Sequence, residues 1–270
     1  MVRDPELKWP GGYRRFWFRG STFLTNSMNT LSIVIPEGEL FFIESVRHYL
    51  GEIRDPVLHA QAIAFVGQEA AHGREHRRFN ELTESEGYPV RPIAEQLRRH
   101  LKQRSARMRP SARLAMTCAL EHFTTILGAE FLRHPIFRES VAGEHARLWF
   151  WHAVEELEHK SVAFDVYKAI GGTYWERVRE MIRVSFGFWA LWLSLTLAYQ
   201  SRDGRLWSPR EWWTALVWLF VRPAYLFRLV PRYLSYYRRD FHPSLHADAD
   251  LILEWRARLA LVAGPADIRR

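Results

Sequence analysis

Residues 68–76 read QEAAHGREH and residues 151–160 read WHAVEELEHK. Each stretch holds a Glu-x-x-His pair, Glu69 with His72 and Glu156 with His159. Each also has a further histidine one helical turn away, His76 after the first pair and His152 before the second. Side chains three and four residues apart share a helix face, so either stretch, as a helix, aims three of them at one point. Strand signals are nearly absent along the chain, and the fold class expected is all-α.

Working outward, each pair meets a single glutamate on a neighbouring helical run. Glu39 and Glu69 are symmetric about position 54, inside the turn Arg54-Asp55-Pro56, and Glu121 and Glu156 about 138.5, just past His134-Pro135. In an antiparallel helical hairpin, residues equally far from the turn lie at one level. Two hairpins of this kind make the ligand set of a ferritin-like four-helix bundle with a di-metal carboxylate site. The candidate ligands are Glu39, Glu69, His72, Glu121, Glu156 and His159, with His152 as a seventh. His76 is an eighth ligand or a partner that fixes a carboxylate. Glu44 rivals Glu39, and Glu155 competes with Glu156, although only Glu156 sits three residues before His159. Two ions are implied, iron or manganese for this mixed oxygen and nitrogen set, and zinc for a hydrolase.

A competing pattern overlaps the first stretch. His72-Gly73-Arg74-Glu75-His76 fits H-x-x-E-H, which as an inverted zincin would put zinc on two histidines with Glu75 as general base. It leaves WHAVEELEHK unexplained. H-E-x-x-H, G-x-S-x-G, P-loop and dinucleotide signatures are absent.

The flanking segments suggest three parts. Residues 1–35 read as irregular, with Pro10-Gly11-Gly12 and a Ser/Thr/Asn stretch from Ser21 to Asn29. A metal-binding bundle is expected over 36–172, starting at Pro36-Glu37, with its last ligand-bearing helix over about 140–170. Residues 173–270 form an aromatic-rich helical region. There, Val184–Tyr199 carries no charge over 16 positions, and Trp212–Val221 is a second apolar run. Arginines flank both runs on every side, so no orientation follows from the positive-inside rule. An interfacial membrane hairpin, packing on the bundle or in a homodimer, and full spanning are the three arrangements such a region allows.

Twelve tryptophans, a formal charge of +8 and a pI near 9.9 complete the composition. No nucleic-acid motif accompanies the charge, and arginines beside apolar runs suit an anionic membrane surface instead. The single cysteine, Cys118, sits in an apolar helical run and reads as core, which excludes an intramolecular disulfide. A cytoplasmic protein, peripheral or monotopic at the inner face of the membrane, is expected.

The elements IPEGELFF, FVGQEAAHGREHRRFN, CALEHFTTILGAEFL, WFWHAVEELEHKSVAFDVY and DFHPS occur in this order. Over roughly residues 30–255 they resemble the bacterial family named predicted metal-dependent hydrolases. The GE-x-F-F element of that family places its glutamate at Glu39. The stretch from His152 to His159 is also similar to the ligand helix of di-iron arylamine N-oxygenases, which implies a histidine-enriched centre that activates O2. The functional expectation is oxidation of a hydrophobic or lipid-like substrate, with metal-dependent hydrolysis as the alternative and metal storage as a non-catalytic one. His242 reads as a cap or packing residue.

Overall fold

The computed structural model describes residues 5, 7–9 and 15–263, with side chains to 260; Pro10-Gly11-Gly12 lies outside the described residues. Eleven α-helices and no strand occur among them. Four carry the site: α1 (Thr22–Arg47), α2 (Pro56–Ser85), α4 (Pro110–Arg133) and α6 (Gly143–His159). Their boundaries follow local chemistry. Asp55 caps α2, its carboxylate accepting from the Val57 N–H at 2.8 Å, with Pro56 in the first turn. Pro110 starts α4, and His134-Pro135 ends it. The α1–α2 turn runs through Leu50–Glu52, and the short helix α5 (Pro135–Ser140) makes the α4–α6 turn. Both hairpins turn where the glutamate symmetry places them.

Helix α1 departs from the sequence expectation. It begins at Thr22, capped by the Ser21 hydroxyl, and passes straight through Pro36. Short polar side chains favour irregular backbone when they bond locally; here Ser27 and Thr30 bond back to helix carbonyls, and others reach across helices. Asn26 donates to Gln200 and Asp203 at 3.0 and 2.8 Å, and Thr30 meets Thr196 at 3.2 Å. Proline inside a helix strips its partner four residues back of a hydrogen bond. That partner is the Ser32 carbonyl, which instead accepts from Asn80 Nδ2 on α2 at 2.9 Å. The expected 140–170 helix also divides, with α6 ending at His159 and α7 (Val162–Ala169) following.

Two apolar cores fill the bundle. On α2, Leu58, Ala62 and Phe65 belong to one, and Ala71 and Phe79 to the other. Glu69 and His72 fall where the first gives way to the second. Cys118 is buried in the first core. Helix α3 (Val90–Ala106) lies along α1, pinned by Arg98, which makes a bidentate pair with Glu37 at 2.8 and 2.7 Å.

The C-terminal helices pack on the bundle. Helix α8 (Tyr174–Arg202) lies on α1 and α4, α9 (Pro209–Leu216) on α1, α10 (Tyr225–Ser235) on α4 and α11 (Ala249–Ala263) on α6. Helix α8 is long and apolar enough to cross a membrane; α9 with the turn after it and α10 form a pair bent by 42° that passes the same test jointly. Asp248 fastens the layer, pairing with Lys160 at 2.7 Å and with Arg232 and Arg133.

Candidate metal centre

Seven side chains from four helices converge between the two cores: Glu39 from α1, Glu69 and His72 from α2, Glu121 from α4, and His152, Glu156 and His159 from α6. They form two ligand-sized groups, each with its donor atoms within 4.8 Å of one another. One comprises Glu39, His72, His152 and Glu156, the other Glu69, Glu121, Glu156 and His159. Glu156 is common to both, where a carboxylate can bridge two ions. Each group draws on both hairpins, so neither forms within one hairpin alone.

The donor atoms suit cations. Both carboxylate oxygens of Glu39, Glu69 and Glu121, Nδ1 of His72 and both ring nitrogens of His159 are buried with no hydrogen-bond partner. Orphaned polar atoms at this density are costly unless something binds them, and a pair of cations held here would satisfy them together. Contacts within the cluster are close: His159 Nε2 lies 3.1 Å from Glu69, and His72 Nδ1 3.6 Å from both Glu39 and Glu156. Burial and the Glu69 carboxylate push Glu39 well above the usual carboxylate range; burial and Glu156 do the same to Glu121. Burial alone would raise Glu156 too, but His152 and His159 hold it well below that range. The cluster balances its crowded carboxylates with cations, whether protons or metals.

Outer contacts orient the histidines. Ser32 Oγ donates to Asn80 Oδ1 at 2.8 Å, so it accepts from His76 Nδ1–H at 2.8 Å. Burial keeps His76 neutral by lowering its pKa, so its Nε2 accepts from His152 Nδ1–H at 3.0 Å. The bonding pattern therefore commits His152 Nδ1 to His76 and leaves Nε2 facing Glu156, 3.1 Å away. His72 is set in the opposite sense, with Nε2 3.2 Å from Glu155 and Nδ1 toward the carboxylates. His76 and Glu155 thus stand behind the ligands. Glu44 is exposed on the far side of α1 and takes no part. The zincin pattern also fails: Glu75 pairs with Arg74 and Arg78, and neither it nor His76 joins a ligand group. His242 is a cap, accepting from the Ser244 N–H at 3.2 Å and meeting Asp165 at 2.7 Å.

Four contributors escaped the sequence reading. Ser32 and Asn80 complete the relay, and no spacing rule marks them. The Thr124 hydroxyl bonds to Glu156. Gly73, which looks misplaced in a ligand helix, leaves room for Glu39: a Cβ there would lie 3.1 Å from Glu39 Oε2.

A cavity of about 780 Å3 reaches the centre, where His152, Glu156 and Thr124 line it; the rest of its wall is largely apolar. Among the lining residues Glu156 is the one carboxylate. No curated protein and no solved structure matches the chain. Residues 1–247 match one protein family, and the chain belongs to it: the predicted metal-dependent hydrolases.

Proposed function

We propose that the protein is a two-metal hydrolase acting on an ester or amide bond in a hydrophobic substrate. The observation that carries this is the cavity ending on Glu156, the carboxylate shared by two buried ligand groups, in a chain of this family. The proposed ligands are Glu39, Glu69, His72, Glu121, His152, Glu156 and His159. Two ions bound there polarise a carbonyl and make water more acidic. The chain's own residues do the rest. Apolar lining excludes bulk water, and the Thr124 hydroxyl orients the Glu156 carboxylate. Water adds to the carbonyl carbon, the bond to the alcohol or amine breaks, and the leaving group takes up a proton. That proton is the one the attacking water gives up.

A second reading, O2-dependent oxidation at two irons, is supported by the donor set. Four buried carboxylates and three histidines on four helices match the ferritin-like di-iron pattern. Anaerobic reconstitution with zinc, manganese or iron, followed by metal quantification, separates the two. Hydrolysis is expected to bring near two ions per chain and cleavage of long-chain nitrophenyl esters that persists without O2. Cleavage absent with every metal, together with a spectral change when the reduced iron form meets O2, would overturn hydrolysis in favour of oxidation.

A further inference from the structure

The cavity has a polarity along its length. Its apolar wall includes buried Phe42 and Phe123 and half-buried Leu31, Leu127, Phe188 and Leu191. Its solvent-facing mouth is marked by lining residues of α3 and α8, with Arg99, His100 and Arg183 exposed and Arg104 half-buried. The Arg98–Glu37 pair fixes α3, and so the spacing of this mouth.

Positive charge at the mouth is only partly answered. Buried Glu180 bonds Arg183 at 2.7 Å and Arg179 at 3.3 Å, and lies 3.7 Å from Arg104. Arg99 is 3.9 Å from Glu95, with both side chains more than half exposed. With Glu176 also 3.7 Å from Arg179, four arginines share three carboxylates, and an anion arriving there finds unspent donors. The size falls within the roughly 300–1,000 Å3 of small-molecule sites. Gly187 on α8 widens the wall, since nothing lies within 4 Å of where its Cβ would sit.

We propose that the cavity takes a single-chain amphiphile whose apolar tail runs inward and whose anionic head, a carboxylate or phosphate, stays at Arg99, Arg104 and Arg183. The inference rests on the metal-centre reading in one respect: it places the reacting bond along the tail, remote from the head. A neutral lipid of equal length would lose the arginine contacts, and a short anion would lose the tail.

The test is binding, which needs no turnover. Displacement of a fluorescent fatty acid from the metal-loaded full chain is measured with palmitate, hexadecyl phosphate and hexadecanol as monomers. Both anions are expected to bind about tenfold more tightly than the alcohol, the scale of a hydrogen bond to a charged group. In the double variant Arg99→Gln, Arg104→Gln that ratio should fall to about threefold or less, with hexadecanol unchanged. Gly187→Leu, whose Cβ meets no neighbour, should weaken all three. Equal binding of alcohol and acid, a ratio untouched by the arginine substitutions, indifference to Gly187→Leu, or binding only to anionic vesicles would each overturn the proposal. Palmitate inhibiting metal uptake would reverse the orientation, placing the head at the ions, and so also overturn it. Metal content is measured on the same samples, so loss of the ions would indict the metal-centre reading while retained ions without a preference would sink the amphiphile alone.

Discussion

In α2, α4 and α6 the fully buried positions include Glu69, His72, Glu121 and Glu156, while α8, α9 and α10 turn Phe186, Trp213 and Phe227 outward at 77, 67 and 62% exposure. One region hides charge and the other displays apolar surface, the reverse of ordinary solvent-driven sorting. A buried carboxylate cluster is stable only with compensating cations, either protons taken up by its own carboxylates or ions bound among them. An exposed apolar face has no such internal creditor, and contiguous ones commonly mark contact surfaces. The two regions therefore pose different questions, and substitutions can be chosen that address each by itself.

Four experiments test that separation. The largest effect is expected for Glu121→Gln, which should weaken metal binding by more than about 100-fold, beyond the usual range for outer partners. The thermal midpoint of the metal-free protein should barely move, because burial and the neighbouring Glu156 already favour the neutral form of Glu121. A large drop in the metal-free midpoint would mean that Glu121 is structural. Ser32→Ala comes next. Loss of the acceptor that sets His76, and through it His152, should cost roughly 10-fold in metal affinity, read by competition with a chelating dye. An unchanged affinity would show that the relay does not govern His152.

Acid tests the seam between the regions. Burial and the neighbouring Arg232 lower His246 to about 4, whereas the unfolded chain protonates it near 6.5. The unfolded state therefore binds more protons as pH falls from about 6.5 to 4, and stability drains across that window. Asp248 is opposed by burial but held below its usual range by Arg232 and Lys160, so its contribution persists until lower pH. Trp255, stacked on Phe150 and donating to the Leu132 carbonyl, reports docking of α11. Its fluorescence should change in this window before helical circular dichroism does; coincident changes would deny the seam its separate role. The smallest effect is expected for Phe186→Ser with Phe227→Ser. Stability should stay within about 0.5 kcal/mol, while flotation with anionic liposomes or self-association declines. A loss of several kcal/mol would show that this face is core.

The convergence of the candidate ligands was legible because its information is periodic. Glu-x-x-His twice, with glutamates mirrored about two turns, needs only helix geometry, and the structure brings all seven residues together. What escaped was non-periodic. The polar run from Ser21 to Asn29 imitates a loop, and only its partners on α8, more than 160 residues later, reveal a helix. Glu44 and Glu39 were both symmetric enough by eye; a difference of five residues rotates Glu44 off the face, as its exposure shows. Likewise H-x-x-E-H fits a zincin on paper, but the fourth residue of the motif, Glu75, points its carboxylate at arginines instead.

Pro36 gives α1 an unusual obligation. By withholding one amide proton it leaves the Ser32 carbonyl as a socket for the Asn80 amide, and that grip decides which way round the Asn80 side chain sits. A rotated amide would offer nitrogen where Ser32 needs oxygen, and the handedness of every proton in the row beyond would invert. The imino acid thus writes the protonation of an imidazole two helices away without touching it.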